Sequence, residues 1–274
     1  MKVNKNNKRG SKAFTLIELL MVISVIALIA AMVFNSLRGA RESARISNAL
    51  VFQHQMHSLL GPDLVGWWNF DEGSGTTAND ISGFGNNGTI IGATYVSGVP
   101  GTRGSALQFS GSTSHVTMTG TNAHLDFTHG EQFSYGAWFR AESFPSSWHG
   151  IISKMPSWGN GYNLQVGPSQ NIACGIGIYV RTNWIPQTGV WYHVICSYNG
   201  TTMTLHVNGN RESSGVHNIL TGNTNLRLGM FYTDGSLPFF GIIDDVRIYS
   251  RALTASEIQT LYAQTKDKYL TKEK

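Results

Sequence analysis

"WYHVICSYNGTTMTLHVNG", residues 191–209, decides the fold of this 274-residue chain. Two runs rich in aromatic and β-branched residues flank Asn199-Gly200, and a second Asn-Gly pair, Asn208-Gly209, follows. Asn-Gly tolerates the positive φ angles that tight hairpin turns require, so the stretch predicts adjacent antiparallel strands. The pattern continues outward in both directions. "LVGWWNF" (64–70), "FSYGAWFRAE" (133–142), "YNLQVG" (162–167), "IACGIGIYV" (172–180), "NLRLGM" (225–230) and "FFGIIDDVRIYS" (239–250) are further strand-like runs. Many short strands punctuated by turns predict an antiparallel sandwich. One late helix follows in "TASEIQTLYA", where Thr254 and Glu257 have the spacing of a capping box. Residues 264–274 are charged and read as a frayed tail.

The beginning of the chain is built differently. Phe14 to Phe34 is a continuous apolar run of 21 residues interrupted by Glu18. At 1.5 Å per residue it spans about 31 Å, one bilayer core. A carboxylate at mid-bilayer costs about 2.5–3.5 kcal/mol, so Glu18 requires a reason. Lys2, Lys5, Lys8, Arg9 and Lys12 precede the run without an acid, which keeps that flank cytoplasmic and sends the rest of the chain outward. These five charges removed from the net +4 leave −1, so the body is nearly neutral and nucleic acid is not an expected partner. From Asn35 to Leu60 no proline occurs and apolar residues recur at helical spacing, predicting a helix over 14–60 about 70 Å long, stopped by Gly61-Pro62.

"KRGSKAFTLIELLMVISVIALIAAM" resembles the leader and N-terminal helix of type IV pilins and pseudopilins. The resemblance implies that residues 1–13 are a prepilin leader, that a prepilin peptidase cuts between Ala13 and Phe14, and that the new Phe14 amine is methylated. Glycine is usual before the cut, and Ala13 stands there here. Glu18 then sits at the fifth mature position. The resemblance pairs it with the Phe14 amine of a neighbouring subunit, fixing register in a helical filament. The precursor is a single-pass protein of the cytoplasmic membrane with its C-terminus outside. It ends in a surface filament, or in the periplasm if it is a pseudopilin of a secretion system.

The region 64–263 resembles laminin-G-like, concanavalin A-like jelly-roll domains. The residues that carry this are "VGWWNFDEGSGTTANDISGFGNNGTIIGA", "GSALQFSG", "FSYGAWFRA", "WYHVICSYNGTTMTLHVNG" and "GIIDDVRIYSRALTASEI". The fold class expected is thus a long N-terminal α-helix followed by an all-β antiparallel sandwich. The function implied is structural assembly with adhesion, or glycan or protein binding, through the sandwich. A membrane-anchored lectin that never assembles is the third reading.

Candidate sites follow, each with a plainer alternative. Asp71, Asp80 and Asp245 could supply oxygens to the one structural Ca²⁺ that such domains often hold, or could be turn-capping and buried hydrogen-bonded aspartates. Trp148, Trp158 and Trp184 lie in Ser/Gly/Asn-rich loops, as exposed glycan platforms or as loop anchors. Cys174 and Cys196 would face each other if their runs paired as a hairpin, giving a disulfide outside the cell or two small buried hydrophobes. "GFGNNG" (83–88) has the G-x-G-x-x-G spacing but no strand before it and helix after it, so it reads as a surface turn. Neither G-x-S-x-G nor the paired strand carboxylates of glycosidases occur, so no enzyme is expected.

Overall fold

In a computed structural model, the chain is described over residues 16–30, 32–34 and 61–270, apart from 98–103, 112, 120–122, 129, 145–146, 156–160, 176–178, 218–223 and 232–236. Ala13, Phe14, Trp158 and the helix expected over 35–60 lie outside the described residues. The chain divides into two units, Met1–Gln55 and Met56–Lys274. In the first, helix α1 runs Leu16–Phe34 with a mean hydropathy of 2.8, and none of its apolar span is buried within the chain. Leu16 and Ile17 are each 77% exposed, so this surface is apolar on all sides. A helix of that kind is stable only in lipid or among other helices.

Among the described residues the second unit is a sandwich of sixteen strands. In chain order they are β1 (Leu64–Trp68), β2 (Thr77–Ala78), β3 (Gly88–Ile91), β4 (Thr94–Ser97), β5 (Ser105–Ser110), β6 (His115–Met118), β7 (Phe133–Ala141) and β8 (His149–Lys154). Then come β9 (Tyr162–Val166), β10 (Ile172–Cys174), β11 (Val180–Arg181), β12 (Trp191–Tyr198), β13 (Thr202–Val207), β14 (Asn210–Val216), β15 (Leu226–Leu228) and β16 (Phe240–Tyr249). One sheet has the order β14-β13-β12-β7-β16-β5-β4, with β1 also paired to β16; the other is β11-β10-β9-β8-β15-β6-β3-β2. We call them the helix sheet and the open sheet. Alternate side chains of both, including Phe109, Tyr135, Phe139, Val194, Leu164 and Leu228, fill the core between them.

Local sequence explains the turns. Asn208 (φ 50°) and Gly209 (φ 81°) form the two-residue turn between β13 and β14, where Val207 pairs Asn210. Asn199-Gly200 instead begins a four-residue turn, because Tyr198 pairs Met203 and the Asn199 Oδ1 accepts from the backbone N–H of Thr201 and Thr202. Cys174 and Cys196 are bonded, but not as hairpin neighbours. β10 lies in the open sheet and β12 in the helix sheet, so the bond crosses the core. The hairpin geometry failed because β10 returns through β11 and a loop before β12 begins.

Helix α2 (Ala255–Tyr269) carries the expected capping box, with Thr254 accepting from the Glu257 N–H and the Glu257 carboxylate accepting from the Thr254 N–H. It runs well into the stretch read as a frayed tail. The periodicity there is real: Ile258, Leu261 and Tyr269 are buried against the outer face of the helix sheet. Tyr269 stacks on Trp138 at 4.1 Å, and Trp138 Nε1 donates to Thr265 Oγ1 at 2.8 Å. The helix end is locked by Asp244, whose Oδ2 accepts from Lys268 Nζ and Tyr269 Oη at 2.8 Å each.

Two outcomes test this packing. The disulfide closes a loop of 22 residues, so the double variant Cys174→Ser/Cys196→Ser should lose about 3 kcal/mol in urea unfolding of the detergent-solubilised chain. Burial raises the Asp244 pKa to about 7, against the opposing pull of Lys268. A carboxyl that keeps its proton longer when folded adds stability that is full below its unfolded pKa and lost as pH rises through the folded one. Wild type should therefore lose about 1–4 kcal/mol relative to Asp244→Asn between pH 5 and 8. Parallel stability curves for the two proteins would contradict this.

Candidate functional site

The two outer faces of the sandwich are not equivalent. On the helix sheet, Leu64, Ile195 and Tyr249 meet Leu253, Ile258 and Leu261, while Trp138, Trp191 and Ile242 meet Tyr269. That face is closed by α2. No helix lies on the open sheet among the described residues, but loop residues do: the Phe231 carbonyl meets Ser153, Met155 meets Asn163, and Trp148 lies against Gly167.

Strand alternation dictates what the open sheet presents outward. Val116, Met118, Leu226, Leu228, Ile152, Leu164 and Val166 point into the core, so Thr117, Arg227, Ser153, Asn163 and Gln165 point away from it. Their registers align them: Thr117 opposite Arg227, Arg227 opposite Ser153, Ser153 opposite Asn163. Gln165 sits in the neighbouring row, opposite Gly150 and Ala173. These polar groups are nonetheless shielded from water. Asn163 and Gln165 are 0% exposed, Ser153 2% and Thr117 7%. Ser153 Oγ donates to the Phe231 carbonyl at 2.6 Å, and Asn163 Nδ2 to Met155 Sδ at 2.9 Å. Asn163 Oδ1 and both amide atoms of Gln165 have no partner of hydrogen-bonding geometry among the described residues. Buried amides are rarely left so, and a native structure holding several at one place calls for an explanation.

Two aromatic rings border the Gln165 end. Trp148 packs on Tyr179 with centroids 4.8 Å apart. A Cβ at Gly167 would lie 2.9 Å from Trp148 Cζ3, so the glycine is what lets the indole lie against the β9 end. The Tyr179 hydroxyl reaches toward Gln165 and titrates above its ordinary range through burial. Arg181 lies 6.0 Å from the Tyr179 ring. Arg227, half-buried, makes no ion pair among the described residues, and burial pulls its guanidinium below the usual arginine pKa.

Of the loop tryptophans, Trp148 borders this face, and Trp158 lies outside the described residues. Trp184 is an anchor: it packs against the core and Tyr192 (5.7 Å), and its Nε1 donates to Glu212 Oε2 at 2.8 Å. Asn163, Gln165 and Arg227 were missed in the sequence, although alternation within "YNLQVG" and "NLRLGM" sets all three opposite their apolar neighbours.

The three aspartates act as hydrogen-bond acceptors within the fold. Asp80 Oδ1 accepts from the backbone N–H of Trp67 and Ser82, and Oδ2 from that of Asn86, all at 2.9 Å. Asp245 Oδ1 accepts from Trp67 Nε1 at 2.7 Å and Arg247 Nε at 2.9 Å. Asp71 accepts from Asn69 Nδ2 and the Ser105 N–H, with Lys268 Nζ 3.7 Å away. Their oxygens are taken by N–H donors, where calcium would need six to eight oxygens converging. Among the described residues no group of three or more His, Cys, Asp or Glu is placed to hold a metal ion.

Known proteins share this fold. Residues 8–34 match the prokaryotic N-terminal methylation motif, and residues 109–259 match the concanavalin A-like lectin/glucanases superfamily. No curated protein matches the chain in sequence. Among solved structures, the binding domain of Paraclostridial Mosquitocidal Protein 1 aligns with a TM-score of 0.61 at 18% identity, covering 74% of this chain and 52% of that one. Trypanosoma rangeli sialidase in complex with sialic acid aligns at 0.58 and 16%, covering 77% and 34%. Domain 4 of AbnA, an extracellular arabinanase from Geobacillus stearothermophilus solved with arabinotriose, aligns at 0.54 and 22%, covering 73% and 98%. The chain thus spans about half of the first of these and a third of the second, and at such identities they share its fold alone. With more than half of its residues inside the family match, the chain belongs to the concanavalin A-like lectin/glucanase superfamily and carries a type IV pilin-like methylation motif at its N-terminus.

Proposed function

We propose that this protein is a pilin-like subunit that assembles through α1 and displays the sandwich at the cell surface as a carbohydrate-binding module. The observation that carries the reading is a division of labour in one chain. A methylation-motif helix with no buried apolar face is joined to a sandwich whose outer faces differ, one sealed by α2 and the other polar. The first part needs other helices or lipid. The second matches the concanavalin A-like lectin superfamily and carries an aromatic pair, Trp148 and Tyr179, at one end of its other sheet. Binding, not catalysis, is the role assigned.

In this reading Glu18 has a task. The peptidase frees the Phe14 amine, and that cation pairs with Glu18 of the neighbouring subunit inside the apolar filament core. Burial penalises either charge alone, so the pair selects one axial register. The same glutamate in a mere membrane anchor would only cost free energy.

The mature chain should begin at Phe14 by mass spectrometry, with a methyl group on its amine, and the protein should be found in filaments sheared from cells. An intact Met1 start would refute the reading, and a processed protein confined to the periplasm would assign it to a secretion pseudopilus. Glu18→Ala should leave processing intact and reduce filaments at least tenfold; normal filaments from that variant would remove the role given to Glu18.

A further inference from the structure

We propose that the Cys174–Cys196 bond is made before the two sheets close, by exchange with a disulfide-bearing oxidant on the outer side of the membrane, and that the closed sandwich is then shut to thiol chemistry. The order of events follows from the fold. The side of the membrane rests on the outward orientation proposed above.

Neither sulfur can be reached in the closed domain. Cys174 and Cys196 are both 0% exposed and belong to the core between the sheets. Cys196 lies within β12, with Tyr135 of β7 opposite it on one side and Leu205 of β13 on the other. Cys174 ends β10, opposite Leu164 of β9 and Val180 of β11. These four partners are themselves buried. A second tie crosses the core beside the bond, where Tyr135 Oη donates to the Asn163 carbonyl at 2.8 Å.

Forming the bond takes two exchanges, and each needs a thiolate with an open line of approach. One chain thiolate attacks the oxidant's disulfide, giving a mixed disulfide and releasing one oxidant thiolate. The second chain thiolate then attacks the chain sulfur of that mixed disulfide, and the other oxidant thiolate leaves. The chain gives up two electrons and its two thiol protons, and the oxidant ends as a dithiol. The closed core permits neither step. Apolar surroundings hold a thiol's pKa up and so remove the thiolate. A mixed disulfide would also need the oxidant's chain in the space that Leu164 and Leu205 fill. Exchange therefore takes place while the sheets are apart.

The topology provides that interval. β16, the last of the described strands, lies between β7 and β5 in the helix sheet. That sheet is incomplete until Phe240–Tyr249 has joined it, whereas the cysteines are only 22 residues apart. In a chain that crosses the membrane with its N-terminus held inside, both thiols are outside before β16 is. A short loop closes at small entropic cost, so the two thiols meet often in the open chain.

The detergent-solubilised full-length chain tests the order. It is unfolded in urea, reduced, and refolded in two ways. Oxidised glutathione is present throughout, or it is added only after tryptophan fluorescence shows that the reduced chain has folded. Free thiols are counted by a maleimide–polyethylene glycol shift under denaturing conditions. The bond should form about a hundredfold or more slowly in the second case, because exchange then waits for the sheets to open, and added urea should speed it. A reduced chain that cannot fold at all also supports the proposal, since closure then requires the bond. Equal rates in folded and unfolded chains would overturn it. The oxidised, folded chain should likewise resist dithiothreitol about a hundredfold longer than the urea-unfolded chain, and equal reduction would overturn the closure to thiol chemistry. In cells stripped to the cytoplasmic membrane, a membrane-impermeant thiol reagent present during pulse labelling should prevent the bond, and the same reagent added after the chase should leave it intact. A bond that forms despite the reagent would overturn the outer oxidant and the outward orientation with it, while the order stands or falls by the refolding rates.

Discussion

Asp245 takes a positive φ (49°) in the middle of β16, and the register with β7 shifts between Asp244 and Arg247. This one-residue bulge is the constraint on which the sandwich depends. Without it, strict alternation from Ile243, which faces the core, would send Asp245 inward and Val246 outward. An ionised carboxylate cannot be accommodated there unpaired. The extra residue lets Ile243, Val246 and Ile248 all face the core, while Asp244, Asp245, Arg247 and Tyr249 turn outward. Burial alone would raise the Asp245 pKa, but the Arg247 guanidinium and the Trp67 indole N–H hold it below the ordinary range. Through Trp67 the bulge reaches β1, and through Asp80, which accepts from the Trp67 N–H, it reaches the loop before β3.

The closure of one face follows from the same residue pair. Turned outward, Asp244 needs a cation, and Lys268 near the end of α2 supplies it. That contact fixes where the helix lies, and the helix then covers Trp138 and Trp191. The disulfide acts on the opposite side of the same sheet, bonding β12 to β10 across the core. A helix on the outside and a covalent bond on the inside leave the helix sheet little freedom.

Much of this was legible in the sequence, and what was not has physical reasons. The fold could be read because its central strands are long, alternating and punctuated by Asn-Gly. β14, with the sequence "NRESSGV", was invisible because it is an edge strand whose residues are mostly solvated, so no apolar alternation marks it. β2 has only two residues, too short for any period to show. The helix end at Tyr269 was misread because Lys266, Asp267 and Lys268 look like a solvated tail. Lys268 is in fact drawn in by Asp244, a partner far away in the chain. The N–H donors that Asp71, Asp80 and Asp245 receive could not be read from the sequence, because Ser105, Trp67 and Arg247 are brought to them by the fold. The open-sheet row escaped notice because sequence reading seeks aromatic residues in loops, whereas Asn163, Gln165 and Arg227 sit within strands.

Electrostatic pairing separates the two outer faces more sharply than their shape does. On the closed face, Asp244 is matched by Lys268 and Asp245 by Arg247, and the Arg247 guanidinium also lies 4.6 Å over the Trp67 ring. Nearby, Arg251 bridges Asp63 and Glu257, which ties the start of β1 to the capping box of α2. Each charge there has its counter-charge within the fold, as expected of a surface whose task is to hold elements together. The open face carries the opposite arrangement. Arg227 is half-buried and makes no ion pair among the described residues, and two strands away on β9 Asn163 Oδ1 and the Gln165 amide have no hydrogen-bond partner among the described residues.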